Sequence, residues 1–127
     1  MKSVDTYQLK DILSHQPVRQ AYLFGSHAHD AAGPLSDIDI AVLYEPLIDE
    51  DKAESGLFAV LSQALHTDNI DIINIATASP LLAHRAVLRG KPLLDHAPHD
   101  MAMLKTKILH AYEDTRHLRD IKQVAFL

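Results

Sequence analysis

The stretch FGSHAHDAAGPLSDIDIAV, residues 24–42, decides how the rest of this sequence is interpreted. A Gly-Ser pair, Gly25 and Ser26, stands at the end of an apolar run. Ten residues further on come Asp37 and Asp39, two residues apart in a segment that otherwise has the pattern of a strand. A strand buries side chains, so two acids inside one require a chemical reason.

The two acids indicate a metal site. Period 2 places Asp37 and Asp39 on the same face of a strand, roughly 6.5–7 Å apart. Like charges at this spacing repel, and burying either one unpaired costs several kcal/mol. A cation between them turns this cost into a gain. Hard divalent cations such as Mg²⁺ prefer oxygen ligands, and two carboxylates together with phosphate oxygens suit them.

A third acid stands in the middle of the segment NIDIINI, which we expect to form a strand over Ile70–Ile75. This acid is Asp71. If the strand pairs beside the segment Asp37–Tyr44 in a suitable register, Asp71 completes a face of three carboxylates.

The Gly-Ser pair fits a turn that holds phosphates. Gly25 has no side chain to keep backbone N–H groups away from a phosphate. The expected short helix after Ser26, through about Ala32 and broken at Gly33-Pro34, points its N-terminus at the same place. The Ser26 hydroxyl can donate to a phosphate oxygen. A phosphate turn beside metal-binding acids indicates nucleotidyl transfer, in which one metal ion activates an attacking hydroxyl and another holds the triphosphate.

The remaining pattern predicts an α/β fold: one domain over residues 1–127, with a small mixed β-sheet flanked by helices and a long C-terminal helix. The expected elements are a helix over 5–15, a strand over 18–24, the short helix 26–32, a strand over 37–44, a helix over 49–65, a strand over 70–75, a helix over 79–90, a strand over 91–94 and a helix from about residue 98 to near the end.

Composition narrows the function classes. The formal net charge is −5, which argues against direct nucleic-acid binding but allows a nucleotide whose charge a metal neutralises. No stretch approaches 18 uninterrupted apolar residues, so we expect no membrane partner. The sequence has no cysteine and its N-terminus lacks an apolar signal core, and we therefore expect a cytoplasmic protein.

The pattern G-S-x₁₀-D-x-D, which runs here from Gly25 to Asp39, resembles the signature of the polymerase-β-like nucleotidyltransferase superfamily. At average residue usage, a random chain of this length would show it roughly once in several hundred. The short length and the lack of a helical substrate domain are similar to the minimal nucleotidyltransferases, the MNT proteins. The similarity extends from Val18 to about Leu94 and includes the stretch LLAHRAVLRGKPLL.

This resemblance implies roles for the motif residues. Asp37 and Asp39 would hold two Mg²⁺ ions, and Asp71 would be the third catalytic and metal-binding carboxylate, near the attacking hydroxyl. Gly25 and Ser26 would hold the phosphates of ATP, the AMP donor.

One segment departs from the family pattern. Relatives often carry a basic GSRARG-like run after the serine, whereas this chain has His27, His29 and Asp30. Neutral histidines attract phosphate less than arginine does. We do not interpret the two histidines as a zinc pair, because an i, i+2 spacing does not place them on one helical face.

MNT proteins commonly act as antitoxins of HEPN-domain ribonuclease toxins. The resemblance therefore implies a heteromeric complex in which this chain transfers AMP to a hydroxyl side chain of the toxin, commonly a tyrosine, and silences it. Two alternatives remain open at this point: neutralisation of the toxin by binding alone, and adenylylation of a small molecule such as an aminoglycoside. The second is disfavoured because such enzymes usually carry an additional domain for the acceptor.

Overall fold

The computed structural model describes residues 5–29, 37–96 and 98–116. The strands are β1 Val18–Phe24, β2 Ile38–Tyr44, β3 Ile70–Asn74 and β4 Lys91–Asp95. The α-helices are α1 Thr6–Ser14, α2 Glu50–Leu65, α3 Pro80–Ala83 and α4 Pro98–Asp114, with a 3₁₀ turn over Ser26–His29 and a π-helical turn over His84–Leu88.

The strands form one mixed sheet in the order β3-β2-β1-β4. β1 is antiparallel to both β2 and β4, whereas β2 and β3 are parallel and are joined through α2. A parallel pair needs such a crossover because its strands start at the same edge of the sheet. The expected fold class, a small mixed sheet flanked by helices with a long C-terminal helix, is confirmed.

Helices α1 and α2 cover one face of the sheet. Each begins at an aspartate: the Asp5 carboxylate accepts hydrogen bonds from the backbone N–H groups of Tyr7 and Gln8, and the Asp49 carboxylate accepts one from Lys52. Each helix buries two leucines against the alternate side chains of β2 that face away from Asp39. These leucines are Leu9, Leu13, Leu57 and Leu61.

The opposite face packs against α3, the π-helical turn and α4. Its buried residues are Tyr22, Phe24, Ala41, Ile75, Ala83, Ala86, Val87 and Ile108. Gly90 permits this packing, because a Cβ atom there would lie 2.2 Å from the carbonyl oxygen of Ala86 and 2.8 Å from that of Leu23. The rings of His84 and Tyr112 stack at 3.8 Å, which ties the π-helical turn to α4.

The observed elements differ from the sequence expectation at two helices. The helix expected over residues 79–90 does begin at Ser79, whose hydroxyl accepts from Leu82, but it widens to a π-helical turn after Ala83. The helix expected over 26–32 is a 3₁₀ turn in its described part, and the expected break at Gly33-Pro34 lies outside the described residues. Residues 117–127, into which the C-terminal helix was expected to continue, likewise lie outside the described residues.

The turn between β2 and α2 holds a strained residue. Leu47 has a φ of 63°, in the left-handed region that branched and bulky side chains disfavour. Its side chain is fully exposed. Across the described ranges, no helix is long and apolar enough to cross a membrane.

Candidate active site

The Gly-Ser turn, Asp39 and Asp71 lie in one row across three neighbouring strands. Phe24, the residue before Gly25, pairs with Asp39 between β1 and β2, and Asp39 pairs with Asp71 between β2 and β3. Neighbouring strands lie about 4.8 Å apart, so the row brings the turn and the two carboxylates into one small region.

The two acids share a face of the sheet. Asp39 points to the same face as Ala41, two residues further along β2, and Asp71 points to the same face as Ile73 in β3. Both apolar residues pack in the core beneath α3 and α4. The register is fixed at the start of the strands, where the Ile38 N–H donates to the carbonyl of Asn69 at 2.8 Å. The sequence set one geometric condition, that the third strand pair beside β2 in a register that places Asp71 next to Asp39, and the parallel pairing of β3 with β2 meets it.

Asp37 stands directly before β2 and is exposed. Its spacing from Asp39 points the two residues to the same side of the sheet. Asp39 is half-buried, and burial is the main reason that its pKa is raised above the ordinary value of 3.8. The charges of Asp71 and then Asp37 raise this pKa further, whereas His27 lowers it.

This electrostatic arrangement fits a hard divalent cation. The charges of Asp71 and Asp37 disfavour the ionised form of Asp39, and a cation would relieve this repulsion. Within residues 5–29, 37–96 and 98–116, no three His, Cys, Asp or Glu side chains are arranged to hold a metal ion by themselves. Mg²⁺ commonly binds through one or two carboxylates plus substrate phosphates and water, so the aspartates with a nucleotide suit it.

Gly25 lies directly against Asp39. Its φ is 75°, a left-handed conformation that glycine adopts without strain, and a Cβ atom on it would lie 2.3 Å from Oδ2 of Asp39. The Gly25 carbonyl accepts from the N–H of Ala28 at 3.1 Å, which closes the turn that Ser26 begins. The absence of a side chain at Gly25 therefore lets this turn approach the carboxylates.

His27 is a site residue whose position the sequence did not reveal. The sequence presents it only as a weaker substitute for a phosphate-binding arginine. In the structure its side chain is 3 % exposed and its charge acts on Asp39. Nothing in the sequence distinguishes a histidine that turns inward from one that faces solvent in a four-residue 3₁₀ turn.

A cleft of about 380 Å³ opens at the outer edge of the sheet, on the face that α2 covers and Asp39 and Asp71 point away from. It lies between α2 and β3, the outermost strand, and includes Asp71 in its wall. Its lining residues are Glu54, Ser55, Phe58, Ile70, Asp71 and Ile72. The sequence could not reveal this cleft, because its two walls come from an α-helix and a strand whose packing no local pattern specifies.

The fold and this site define a nucleotidyltransferase of the polymerase β type. Residues 7–99 match the family Polymerase beta, Nucleotidyltransferase, and the chain belongs to this family.

Individual proteins and solved structures show more specific similarities than the family match. The protein adenylyltransferase MntA of Shewanella oneidensis is 39 % identical over 72 residues, which are 57 % of this chain and 50 % of MntA, so the match spans half the length of that relative. A crystal structure of a toxin–antitoxin with AMP-PNP is similar over 97 % of this chain and 96 % of its own, with a TM-score of 0.76 and 28 % identity.

A tri-AMPylated Shewanella oneidensis HEPN toxin in complex with its MNT antitoxin also resembles this structure. That similarity has a TM-score of 0.67 and 28 % identity, over 95 % of this chain and 92 % of the other. These comparisons confirm the resemblance to MNT proteins that the Gly-Ser and Asp-x-Asp motifs indicated.

Proposed function

We propose that this chain is a Mg²⁺-dependent protein adenylyltransferase that transfers AMP from ATP to a hydroxyl side chain, a tyrosine, of a cognate HEPN ribonuclease toxin, and that it thereby acts as the antitoxin. The observation that carries the proposal is the row formed by Gly25, Asp39 and Asp71 across three strands. A phosphate turn and two carboxylates in register on one face are the parts that nucleotidyl transfer needs.

Each residue of the row has a separate task in this proposal. The backbone at Gly25 and the Ser26 hydroxyl hold the triphosphate. Asp37 and Asp39 hold two Mg²⁺ ions, which when bound neutralise phosphate charge and activate the attacking hydroxyl. Asp71, next to Asp39 in the sheet, accepts the proton of the acceptor hydroxyl.

The relatives support the choice of substrate and partner. MntA is a protein adenylyltransferase, one related structure contains AMP-PNP, and another contains an AMPylated HEPN toxin. The net charge of −5 favours a protein acceptor over a nucleic acid. Because a ribonuclease toxin finds its RNA substrates in the cytoplasm, the proposal also places the reaction there.

The test is AMP transfer to the toxin. The chain is incubated with Mg²⁺, ATP and the cognate HEPN protein, and the toxin is then weighed by mass spectrometry. We expect one or more added AMP masses and loss of ribonuclease activity, both absent with Asp37→Ala combined with Asp39→Ala. A double variant that protects cells as well as the wild type would instead favour neutralisation by binding alone. Transfer to an aminoglycoside but not to the toxin would favour the small-molecule alternative.

A further inference from the structure

The outer edge of β3 borders the cleft between this strand and α2, whereas the Asp39 and Asp71 side chains point to the opposite face of the sheet. We infer that this edge and this cleft, together the docking edge, bind an extended, basic segment of the HEPN toxin and hold the toxin at a place separate from the chemistry. The identity of the partner rests on the proposed function. The contacts themselves do not depend on AMP transfer.

The backbone of β3 has hydrogen-bonding groups to offer along its outer edge. The Asn69 carbonyl accepts from the Ile38 N–H, and at the other end of the strand the Ile75 N–H donates to the Val42 carbonyl. The odd-numbered residues of this strand therefore bond to β2. The N–H and C=O of Ile72 consequently point outward, where no strand from the described ranges pairs. An edge of this kind pairs readily with an extended segment of another chain.

The cleft beside this edge offers an apolar surface to the same segment. Ile70 and Ile72 line it from β3, and Phe58 lines it from α2 with 37 % of its surface exposed. The volume of about 380 Å³ is typical of a small binding site. Side chains of a strand alternate between the two faces, so every second residue of a segment paired to β3 would point to the face on which the cleft lies.

The charge of the docking edge favours a basic occupant. The six residues that line the cleft include two acids, Glu54 and Asp71, and no cation. Glu50 adds a third acid one turn before Glu54, where its carboxylate accepts a hydrogen bond from Nδ2 of Asn74 at 3.1 Å. A lysine or arginine of the bound segment can pack its aliphatic stem on Phe58 and place its charge beside Glu54.

The same charges disfavour a second copy of this chain as the occupant. Two copies paired through their β3 edges would bring two acidic clefts together, and each copy carries a formal net charge of −5. Like charges placed opposite each other across an interface oppose association. A basic segment of the toxin meets no such repulsion.

Three variants alter the docking edge and leave the turn at Gly25 and the three aspartates intact. Glu54→Lys reverses a charge of the cleft, and Phe58→Ala removes its aromatic surface. Ile72→Pro removes an outward N–H that makes no bond to β2, at an edge position where proline is tolerated. The matched controls are Glu113→Lys and Leu109→Ala, at exposed positions on α4, and Ile72→Ala, which keeps the N–H.

The experiment measures binding of each folded variant to the HEPN toxin by calorimetry without ATP, so that no AMP is transferred. We expect the three variants to weaken binding by about tenfold or more, as loss of a central interface contact does. Glu113→Lys and Leu109→Ala should bind as the wild type does, and Ile72→Ala should bind more tightly than Ile72→Pro. Added salt should weaken wild-type binding more than it weakens binding of Glu54→Lys. Amide exchange at Ile72, followed by NMR, should slow when the toxin binds.

The outcomes separate the docking edge from the proposed function. If Ile72→Pro does not fold, Glu54→Lys and Phe58→Ala decide the question. Variants that bind the toxin as tightly as their controls would overturn the docking edge and leave AMP transfer untouched. A wild type that dimerises alone and becomes monomeric with Ile72→Pro would identify a second copy as the occupant and overturn it as well. Toxin binding through this edge without any AMP transfer in the presence of Mg²⁺ and ATP would overturn the proposed function alone.

Discussion

Gly25 and Asp39 approach so closely that a Cβ atom on Gly25 would lie 2.3 Å from Oδ2 of Asp39. The backbone of Gly25 also has a φ of 75°, which other residues adopt only with strain. The turn at Gly25 and the central carboxylate are therefore coupled by a contact that tolerates no side chain.

The Gly25→Ala variant tests this contact. We expect it to lower the free energy of unfolding by roughly 1–3 kcal/mol through backbone strain, and to reduce AMP transfer by about 100-fold because the turn and carboxylate are displaced. The control is Gly56→Ala in α2, where a Cβ atom would meet nothing within 4 Å. This change should stabilise the protein by about 0.5–1 kcal/mol. Urea unfolding and single-turnover AMP transfer measure both; equal behaviour of the two variants would contradict the structure.

The raised pKa of Asp39 predicts that the stability of the folded protein depends on pH. Burial, then Asp71 and Asp37, raise its pKa in the folded protein above 3.8. The folded state therefore binds this proton more tightly than the unfolded state, and the resulting stabilisation is present below pH 3.8 and lost as pH rises through the folded pKa. Without metal, we expect Asp39→Asn to be more stable than the wild type at pH 7.

The measurement for Asp39 is the difference in free energy of unfolding between variant and wild type from pH 4 to pH 7. This difference should grow with pH and then level off. Asp11→Asn, at an exposed position on α1, serves as the control. A difference for Asp39→Asn that does not change with pH would show that its carboxylate is not crowded.

Binding of Mg²⁺ with ATP should stabilise the folded protein, because the cation compensates the repulsion among the carboxylates and the negative charge of the phosphates, and the complex binds only the folded site. At 100 times Kd the gain is about 2.7 kcal/mol, which corresponds to a rise of several degrees in Tm for a domain of this size. We expect the shift to disappear in Asp37→Asn combined with Asp39→Asn. Thermal melts with Mg²⁺ alone, ATP alone and both together measure it, and an unshifted wild type would count against the metal site.

The backbone strain at Leu47, in the turn between β2 and α2, predicts that a substitution there stabilises the protein. Its φ of 63° strains a leucine, and its exposed side chain gains nothing from packing. Leu47→Gly should therefore raise the free energy of unfolding by about 1 kcal/mol, with AMP transfer unchanged. Urea unfolding measures the gain. A loss of stability would mean that Leu47 makes favourable contacts that outweigh the strain.

Much of the fold was predictable because local signals agree with the tertiary structure. The apolar run Val18–Phe24 forms β1 with the predicted bounds, and α2 begins at Asp49, where the sequence predicted the start of a helix. The π-helical turn over His84–Leu88 was not predicted. The apolar residues of this segment follow the spacing of an ordinary α-helix, and no residue type in it marks the point at which the helix widens.

The site was predictable in its residue types and less so in its arrangement. The spacing of Asp37 and Asp39 fixes their common face, because a strand alternates strictly. The position of Asp71 depends on strand register, which is a tertiary property, and the sequence supplied only the condition that it had to meet. The inward turn of His27 and the cleft between α2 and β3 depend on packing between elements and had no local signal.

The crossover through α2 has a consequence for synthesis of this protein. Asp71 reaches Asp39 only after the chain has left β2, formed α2 and returned as β3. A nascent chain that has emerged only as far as α2 possesses the turn at Gly25 and the first two acids but lacks the third. Under the proposed chemistry, the protein therefore gains the ability to transfer AMP only when β3 pairs with β2. An incompletely synthesised chain cannot begin to modify the toxin.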